Sequence, residues 1–480
     1  MALTNGLRKI LDPKGWESMT PAPSATAAAH FIVSSRHYRQ QQLLMQSATV
    51  AYLYNPNEDG WCQIPSPALA GTFGAGACGT AGSWSTGATA GAASLTATAG
   101  TTTSITTNQT LARDLRGYSV QILSGPNAGE VKTIARNTIG SNAVITFTAA
   151  SGVAFSASTV YRLLTPVFFV LSAGTLAANA FKRYDFATNT WVSLTITGLP
   201  ATWGTDGRLI ATPSFLDNTF IAFSTGPATA GGASTLTSGA KTWTVNQWTN
   251  YQIRITGGTG AGQIRTIASN TATVITVGTA WTTQPDATST FSIEGNDDFL
   301  YLLGNNAVTM YRYQISTNAW TTLAPGAARA AAPGLGASGH WVWGCTPTEW
   351  TDESVIQNGR YIYSFQGGAV AGGPLHRYDI AANTWATITY APATETFTTG
   401  TKWVYAADFI YVQKDATGRW FRYSIPTFEL DGWNTMRFAQ GAAVLGDTAF
   451  DVTFHDGAAD IVYVYFLLNT SAELHRMMVI

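Results

Sequence analysis

The chain has 480 residues, of which only 11% are charged while 45% are hydrophobic and 12% are aromatic, a balance that excludes charge-driven disorder. The 26 Lys and Arg residues nearly balance the 27 Asp and Glu residues, so no overall field favours nucleic acid or an anionic membrane. Three cysteines are too few and too scattered for a disulfide framework or a zinc site. The many Gly, Thr, Ala and Ser residues favour short strands and turns over helices.

The N-terminal stretch MALTNGLRKILDPKGWE lacks the apolar region of a secretory signal. The longest apolar runs have the length of strands and fall well short of the ~18 residues of a membrane span, so we expect no membrane partner. The basic residues of this region favour a solvated or subunit-facing patch over a nucleic-acid site; they are Arg8, Lys9, Lys14, Arg36 and Arg39.

A Tyr and a Trp seven positions apart form a motif that recurs along the chain. Asn, Asp and Gly residues lie between them, so each copy predicts a hairpin in which one strand ends at the Tyr and the next opens at the Trp. A looser fifth copy is three residues longer. The copies are Tyr54/Trp61, Tyr184/Trp191, Tyr313/Trp320, Tyr378/Trp385 and, for the looser one, Tyr423/Trp433.

Aromatic and β-branched runs upstream of the hairpins extend each unit to four antiparallel strands. The third strands mark six units, around Tyr52, Arg183, Tyr311, Arg377, Arg422 and Arg476. Stacking such sheets radially around an axis buries both of their faces. The sequence therefore predicts an all-β fold, a six-bladed propeller.

The last unit runs into the C-terminus and has no fourth strand. GWESM at 15–19 resembles GWNTM at 432–436, which is the fourth strand of the fifth unit. We expect 15–19 to complete the last blade, with Trp16 beside the strand of Met477. The N- and C-terminal strands then share one blade and close the ring.

Two inserts, 85–163 and 224–294, interrupt the second and third units between their first and second strands. They leave the ranges 1–84, 164–223 and 295–480 to the propeller. Tyr118–Ala135 aligns without gaps on Tyr251–Ala268, so the inserts are copies of each other. Alternating apolar residues around a Gly turn predict small β-barrels or sandwiches. Inserts in the same class of loop project side by side and suit a contact with a neighbouring subunit.

No residue pattern indicates a catalytic, cofactor or metal site. The glycines of 257–262 look like a phosphate loop, but a strand follows them instead of a helix, so a hairpin turn is favoured. Asp447, Asp451, His455 and Asp456 are close in sequence, yet a solvated strand end is favoured over a metal site. The histidines lack ligand spacing, and His376 and His475 are expected to pack. The sequence thus predicts a protein that is not an enzyme and uses no cofactor.

Most aromatic residues are expected in the core, because each buries ~150–250 Å². A sugar-binding platform built from Trp341, Trp343 or Trp403 stays open as an alternative. Cys345 follows Trp343 but has no identifiable metal-ligand pair, so a buried, inert thiol is favoured.

The Tyr–Trp spacing, with Asn two positions before Trp in three copies, resembles Kelch-type propeller repeats, although the Gly-Gly doublet of that repeat is clear only at Gly367-Gly368. This likeness concerns architecture and leaves function open, because Kelch-like propellers serve many functions.

The opening MALTNGLRK, followed by GWESM and PAP, is similar to the start of propeller-type virion proteins of tailed bacteriophages. The stretch QIRTIASNT at 263–271 is similar to small β-domains of phage tail and appendage proteins.

This second resemblance implies a non-enzymatic component of a tail or head–tail assembly, such as a nozzle or hub. The protein would be made in the host cytoplasm and reside in the virion, where it would contact other virion proteins and copies of itself in a ring. The protein would contact nucleic acid only where the nucleic acid passes through a channel of the assembly. The alternatives are a receptor- or glycan-binding propeller module on the virion and a propeller enzyme with acids and histidines at its axis.

Overall fold

A computed structural model gives the structure of the chain over the ranges that follow. The described residues are 16–23, 31–33, 41–70, 77–86, 95–172 (without 113, 117, 126, 128 and 129), 174–204 (without 187), 208–211, 222–249, 251–294, 299–303, 309–325 (without 316), 342–344, 361–365, 375–388 (without 381), 402–406, 409–413, 419–424, 429–435, 449–456, 459–467 and 472–479. Within these ranges the chain forms strands and turns without a helix, so the predicted all-β class is confirmed. These described ranges contain no helix that is long and apolar enough to cross a membrane.

The strands of the first third of the chain are β1 (Trp16–Met19), β2 (Phe31–Val33), β3 (Gln42–Met45), β4 (Ala51–Asn55), β5 (Gly60–Ile64), β6 (Cys78–Thr86), β7 (Leu95–Gly100), β8 (Ser104–Thr107), β9 (Ser119–Ser124), β10 (Val131–Asn137), β11 (Val144–Phe147) and β12 (Val160–Leu171). The middle third contains β13 (Gly174–Thr175), β14 (Phe181–Asp185), β15 (Thr190–Ser193), β16 (Thr202–Gly204), β17 (Arg208–Ala211), β18 (Ala222–Pro227), β19 (Ala230–Gly232), β20 (Thr235–Thr237), β21 (Gln252–Gly257), β22 (Ile264–Asn270), β23 (Val274–Val277) and β24 (Thr290–Glu294). The remaining strands are β25 (Phe299–Leu303), β26 (Met310–Gln314), β27 (Ala319–Leu323), β28 (Val342–Gly344), β29 (Tyr361–Phe365), β30 (Leu375–Asp379), β31 (Thr384–Ile388), β32 (Lys402–Ala406), β33 (Phe409–Gln413), β34 (Arg419–Ser424), β35 (Glu429–Thr435), β36 (Ala449–Asp456), β37 (Ala459–Leu467) and β38 (Leu474–Met478).

Among the described strands, six antiparallel sets of four follow one another in sequence. We number them sheet 1 (β2–β3–β4–β5), sheet 2 (β6–β12–β14–β15), sheet 3 (β17–β25–β26–β27), sheet 4 (β28–β29–β30–β31), sheet 5 (β32–β33–β34–β35) and sheet 6 (β36–β37–β38–β1). Sheet 2 is part of a larger nine-stranded sheet, and β13 and β16 pair with each other separately. Only sheet 6 combines strands from both ends of the chain.

Each of these sheets packs its apolar side chains against those of a neighbouring sheet. Side chains alternate between the two faces of a strand, so one sheet can contact a neighbour on each side. Shared apolar clusters join sheets 6 and 1, 1 and 2, 2 and 3, 3 and 4, and 5 and 6. Strand β28 of sheet 4 lies beside β32 of sheet 5.

The first insert folds as a closed six-stranded barrel. Its strands run in the order β12–β7–β8–β11–β10–β9, and β9 pairs again with β12. We call this structure barrel 1. Strand β12 continues from barrel 1 into sheet 2, so the predicted end of the first insert at residue 163 falls inside one strand. The interior is filled by buried side chains, among them Ile105, Ile134, Ile145 and Tyr161.

The second insert repeats this arrangement as barrel 2. Its strands run β18–β24–β21–β22–β23–β20–β19. The ring closes because β18 leads directly into β19, and the amide of Ala228 between them donates to the carbonyl of Ser289 at 2.9 Å. The same bond joins Ala97 to Thr159 in barrel 1, also at 2.9 Å. The sequence predicted either a small barrel or a sandwich for each insert, and the structure shows a barrel.

Candidate functional site

The Tyr–Trp motif forms the same hydrogen-bonded hairpin four times. In each copy the Tyr and the Trp lie directly opposite each other on the third and fourth strands of a sheet. Their ring centroids are 4.8–5.2 Å apart. This tilted packing covers the buried tyrosine ring with the indole.

The ends of the strands differ by one residue from the sequence prediction, which placed them at the Tyr and at the Trp. In the fourth copy β30 continues past Tyr378 to Asp379, and β31 begins at Thr384, before Trp385. The reason is that Asp379 and Thr384 also lie opposite each other and add one more pair to the ladder. The other three copies show the same extension.

A left-handed residue five positions after the Tyr organises each hairpin. Asp59, Asn189, Asn318 and Asn383 have φ values of 48–53°. Asn and Asp tolerate this region better than most residues, which explains their place in the turn. In every copy the tyrosine hydroxyl donates to this side chain at 2.7 Å. Because burial raises the pKa of Tyr184 to about 12, its hydroxyl stays protonated and available as a donor.

The same hairpins hold each sheet to the one before it. The indole N–H of Trp61 donates to the carbonyl of Thr20 at 3.0 Å, that of Trp191 to Pro65 at 2.8 Å and that of Trp320 to Thr195 at 3.1 Å. Each acceptor follows the last strand of the preceding sheet.

The left-handed turn residues reach the same neighbouring segments. Asn318 Oδ1 accepts from the amide of Thr195 at 3.1 Å, and the Asn383 amide donates to the carbonyl of Ala324 at 3.1 Å. The Asp59 carboxylate accepts from the amide of Thr20 at 3.0 Å. The turn thus reverses the chain and also links two neighbouring sheets by hydrogen bonds. The Asn before Trp was visible in the sequence as a turn residue, but this bridging role was not.

Trp385 of the fourth copy contributes to the contact between sheets 3 and 4 by packing. Its side chain is buried, and its ring centroid lies 5.2 Å from that of Tyr378. Trp385 also belongs to the apolar cluster that contains Tyr301 and Met310 of sheet 3. In this copy the hydrogen bond from Asn383 to Ala324 accompanies the apolar contact of the indole.

The looser fifth copy departs from this geometry. Tyr423 is opposite Leu430, and the pairing of β34 with β35 shifts register between Trp420 and Phe421, so Trp433 has no directly opposite residue. The turn itself is as long as in the other copies, since Ser424 lies opposite Glu429 just as Asp379 lies opposite Thr384. The three extra residues before Trp433 therefore lie within β35, and Trp433 is the extra residue of a β-bulge. Tyr423 is buried, whereas the side chain of Trp433 lies outside the described residues.

Trp16 and Met477 occupy the place of the Trp and Tyr in sheet 6. They lie opposite each other where β1 pairs with β38. The Trp16 ring lies 5.2 Å from that of Trp420 in sheet 5. Next to it, Arg476 Nε donates to Glu17 Oε2 at 2.8 Å, a charged contact that the sequence had not indicated.

Arginines on the opposite face of the third strands stack on aromatic rings. The guanidinium carbon of Arg312 lies 4.5 Å from the centroid of Phe299, and that of Arg422 lies 4.5 Å from Phe409. Arg476 is 4.6 Å from Tyr463. These cation–π contacts let charged side chains lie between apolar sheets. The repeated arginines therefore serve packing in each of these three sheets.

One apolar cluster contains residues of both barrels and of sheets 3 and 4. Val131 and Leu164 of barrel 1 belong to the same apolar cluster as the interior of barrel 2. The outer face of barrel 2 also carries a buried ion pair, with Arg254 Nε 2.9 Å from Glu294 Oε1. Burial raises the pKa of Glu294, and the charge of Arg254 opposes this shift.

Exposed aliphatic side chains occur at corresponding ends of the barrels. In barrel 1, Ile139 lies in the β10–β11 turn, whose Gly140 exchanges backbone hydrogen bonds with Leu111. In barrel 2, Val245 lies in the segment that bonds to the matching β22–β23 turn through Trp243 and Ala272. Ile139 is 68% exposed and Val245 is 65% exposed. They are the two most exposed large hydrophobic side chains of the described residues.

The remaining sequence candidates show packing roles wherever they are described. The glycines of 257–262 lie in the β21–β22 hairpin. His376 is buried with its Nδ1 3.3 Å from the Thr387 hydroxyl, and His475 is buried 3.4 Å from Glu473. Among the described residues no cluster of His, Cys, Asp and Glu is arranged to hold a metal.

Several candidates lie outside the described residues. These are Arg8, Lys9, Lys14, Arg36, Arg39, Trp341, Cys345 and Asp447, together with the side chains of Trp343, Trp403, Asp451, His455 and Asp456.

Comparison with known proteins leaves the family open. No family model matches the chain. No curated protein matches it. Among solved structures, the chain is similar to the phage phi92 endosialidase with a TM-score of 0.32 and 10% sequence identity, over 97% of this chain and 69% of that one.

Proposed function

We propose that the six sheets are the blades of a closed, Kelch-like propeller. Three observations support this arrangement: the repeated third-strand tyrosines, the consecutive packing of the sheets, and the pairing of β1 with β38. The Tyr54 ring of sheet 1 lies 6.1 Å from that of Tyr465 in sheet 6, just as Tyr378 of sheet 4 lies 6.3 Å from Tyr301 in sheet 3. The contact between the last and first sheets therefore repeats a contact between sheets that are consecutive in the chain.

We propose further that this propeller is a non-enzymatic structural component of a bacteriophage virion. The position we favour is the tail or the head–tail assembly, as part of a nozzle or hub. The observation that carries the proposal is the duplication: two equivalent barrels on consecutive sheets expose aliphatic side chains at matching ends. A paired surface of this kind suits repeated contacts in a ring of identical chains.

The low charge of the chain supports the same function. Interface cores are depleted of charged residues, and only 11% of this chain is charged. Copies of the chain and other virion proteins are the partners we propose, with the protein made in the host cytoplasm and incorporated into particles.

Assembly is tested by replacing the exposed aliphatic residues of the barrels with charged ones. We expect the purified protein to form ring-shaped oligomers in negative-stain images and in sedimentation velocity. Ile139→Asp combined with Val245→Asp should shift the population to monomers. Val192→Asp is the matched control, because Val192 is also exposed but lies on sheet 2. A wild-type chain that stays monomeric at all concentrations would contradict assembly through these surfaces.

Location is tested by immunogold labelling and mass spectrometry of purified phage particles. Labelling of the tail or of the head–tail junction is the expected result, and absence of the chain from particles would overturn the virion proposal. A glycan array separates this proposal from its alternative: saturable binding to one glycan class would favour a receptor-binding module.

A further inference from the structure

The segment 16–23 is bound by residues from both ends of the remaining chain. Its strand β1 pairs with β38 from Trp16 to Met19. Beyond the strand, the amide of Ala22 donates to the carbonyl of Ala472 at 2.8 Å, and the buried Ala22 joins the apolar cluster of sheets 6 and 1. Thr20 exchanges hydrogen bonds with Asp59 and Trp61 of sheet 1. Eight residues therefore carry a complete set of backbone, apolar and charged contacts.

The specificity of this docking rests on side chains of three different sheets. Trp16 packs on Trp420 of sheet 5 and Met19 on the cluster between sheets 6 and 1. Glu17 pairs with Arg476, whose Nη1 also donates to the Tyr465 hydroxyl at 3.1 Å. A strand that is recognised by a backbone ladder and by pockets for alternate side chains has the properties of a bound peptide.

We propose that segment 16–23 is an exchangeable strand that also docks on a second copy of this chain, at the edge of β38. The contacts made in a swapped pair are identical to those made within one chain, so exchange costs little beyond the association of the two chains. A reciprocal exchange places each segment in the site of its partner and links two copies directly. The inference rests on the β1–β38 pairing and is independent of the virion location proposed above.

Charge reversal of the Glu17–Arg476 pair tests the exchange with full-length chains. Glu17→Arg and Arg476→Glu each place like charges together when the segment docks in its own chain. In a swapped pair of one variant with the other, both sites regain opposite charges. We expect an equimolar mixture to form a heterodimer, detected by native mass spectrometry of one isotope-labelled and one unlabelled chain, with a melting temperature above that of either variant alone.

The double variant Glu17→Arg/Arg476→Glu is the matched control, because it restores opposite charges within one chain. If it recovers the wild-type melting temperature while the mixture stays monomeric, the segment docks only in its own chain and the proposal is wrong. A mixture of Glu17→Arg with wild type should not gain the heterodimer, because one of its two sites keeps like charges.

A second measurement covers the case in which the single variants do not fold. A protease site placed within residues 24–30 of the wild-type chain allows cleavage after folding. A fluorescent peptide of residues 12–23 should then exchange into the cleaved protein, and the same peptide with Glu17→Arg should bind at least about tenfold more weakly, which corresponds to ~1.4 kcal/mol. Retention of the original segment without exchange over days would overturn the proposal.

Discussion

Glu17 and Arg476 are 459 positions apart in sequence, yet Arg476 Nε donates to Glu17 Oε2 at 2.8 Å. The pair lies where the first described strand meets the last one, next to the opposition of Trp16 and Met477. A cavity of about 500 Å³ opens beside it, lined by Glu17, Arg476 and the β4–β5 turn with Asp59. The ion pair thus ties β1 to β38 within sheet 6, and the contribution of β1 to stability can be measured.

Truncation of Trp16 tests the packing of β1 on sheet 5. Trp16→Ala removes the ring packed on Trp420, and we expect the free energy of unfolding to fall by about 2–3 kcal/mol. Trp16→Phe should cost less than about 1 kcal/mol, because the indole N–H of Trp16 has no hydrogen-bond acceptor within the described residues. Urea unfolding followed by far-UV circular dichroism measures both. Equal losses for the two variants would contradict the packing role of the ring.

Substitution of Asn318 tests the hydrogen-bonded link between sheets 2 and 3. Asn318→Gly keeps the left-handed conformation but removes the acceptor of Tyr313 and Thr195, so we expect a loss of about 1–3 kcal/mol. Asn318→Ala should lose about 1–2 kcal/mol more, because alanine is strained at a φ of 50°. Chemical unfolding gives both values.

Asn142→Gly is the control for this prediction. Asn142 has the same φ of 50° in an exposed turn of barrel 1, where the conformation alone is at issue. Its replacement should change stability by less than about 0.5 kcal/mol. A loss as large as that of Asn318→Gly would show that the side-chain bridge is not the cause.

Gly258 is the clearest position at which barrel 2 requires glycine. Its φ is +71°, and a Cβ there would lie 2.1 Å from the carbonyl oxygen of Thr288. The aligned Gly125 of barrel 1 has the same constraint, at 2.9 Å from Ser158 O. Gly258→Ala should therefore destabilise barrel 2 by about 2–4 kcal/mol.

Gly262 in the same hairpin provides the comparison. Its φ is +88°, but a Cβ there meets no atom within 4 Å. Gly262→Ala should cost only the conformational strain, about 1–2 kcal/mol. Hydrogen exchange of the barrel 2 amides distinguishes the two variants, and similar exchange rates for both would contradict the predicted clash.

Asp286 is expected to make one end of barrel 2 sensitive to acid. The hydroxyl and the amide of Thr288 donate to its carboxylate at 2.6 and 2.8 Å, and these bonds lower the pKa of Asp286. The folded state therefore holds the charged form more strongly than the unfolded state does. The charged Asp286 therefore adds to the stability of the folded barrel. This stabilisation is present above the ordinary Asp pKa and is lost as the pH falls through the lowered pKa.

We expect the Thr288 amide of the wild type to exchange faster as the pH falls below about 4, after correction for the intrinsic rate. Asp286→Ser introduces the residue that barrel 1 has at the aligned position, Ser156. This variant should remove the pH dependence of protection. An unchanged pH profile in the variant would mean that another group titrates.

Local periodicity made much of the fold predictable. The spacing of Tyr313 from Trp320 predicted their hairpin, and the alternation of Tyr251, Ile253 and Ile255 predicted a half-buried strand, because both depend on residues close in sequence. The likeness of GWESM to GWNTM pointed to the strand at Trp16. The order of the barrel strands and the choice of barrel over sandwich could not be predicted, since they depend on which distant strands share hydrogen bonds.

The candidate surfaces were predictable only in part. The duplication of the inserts was visible as an alignment, but the exposed Ile139 lies between β10 and β11 whereas Val245 lies between β20 and β21, so the two do not align. Likewise, the Glu17–Arg476 pair has no local signal, because an isolated acid and an isolated base carry no information about their separation in space.

The sequence by itself determined the class of fold, the repeat and the positions of the turns, because backbone conformation and side-chain alternation are set by neighbouring residues. Only the tertiary structure decided which sheet each hairpin holds, where the register of β34 and β35 shifts, and which side chains stay exposed. These features depend on the summed packing of segments that lie far apart along the chain.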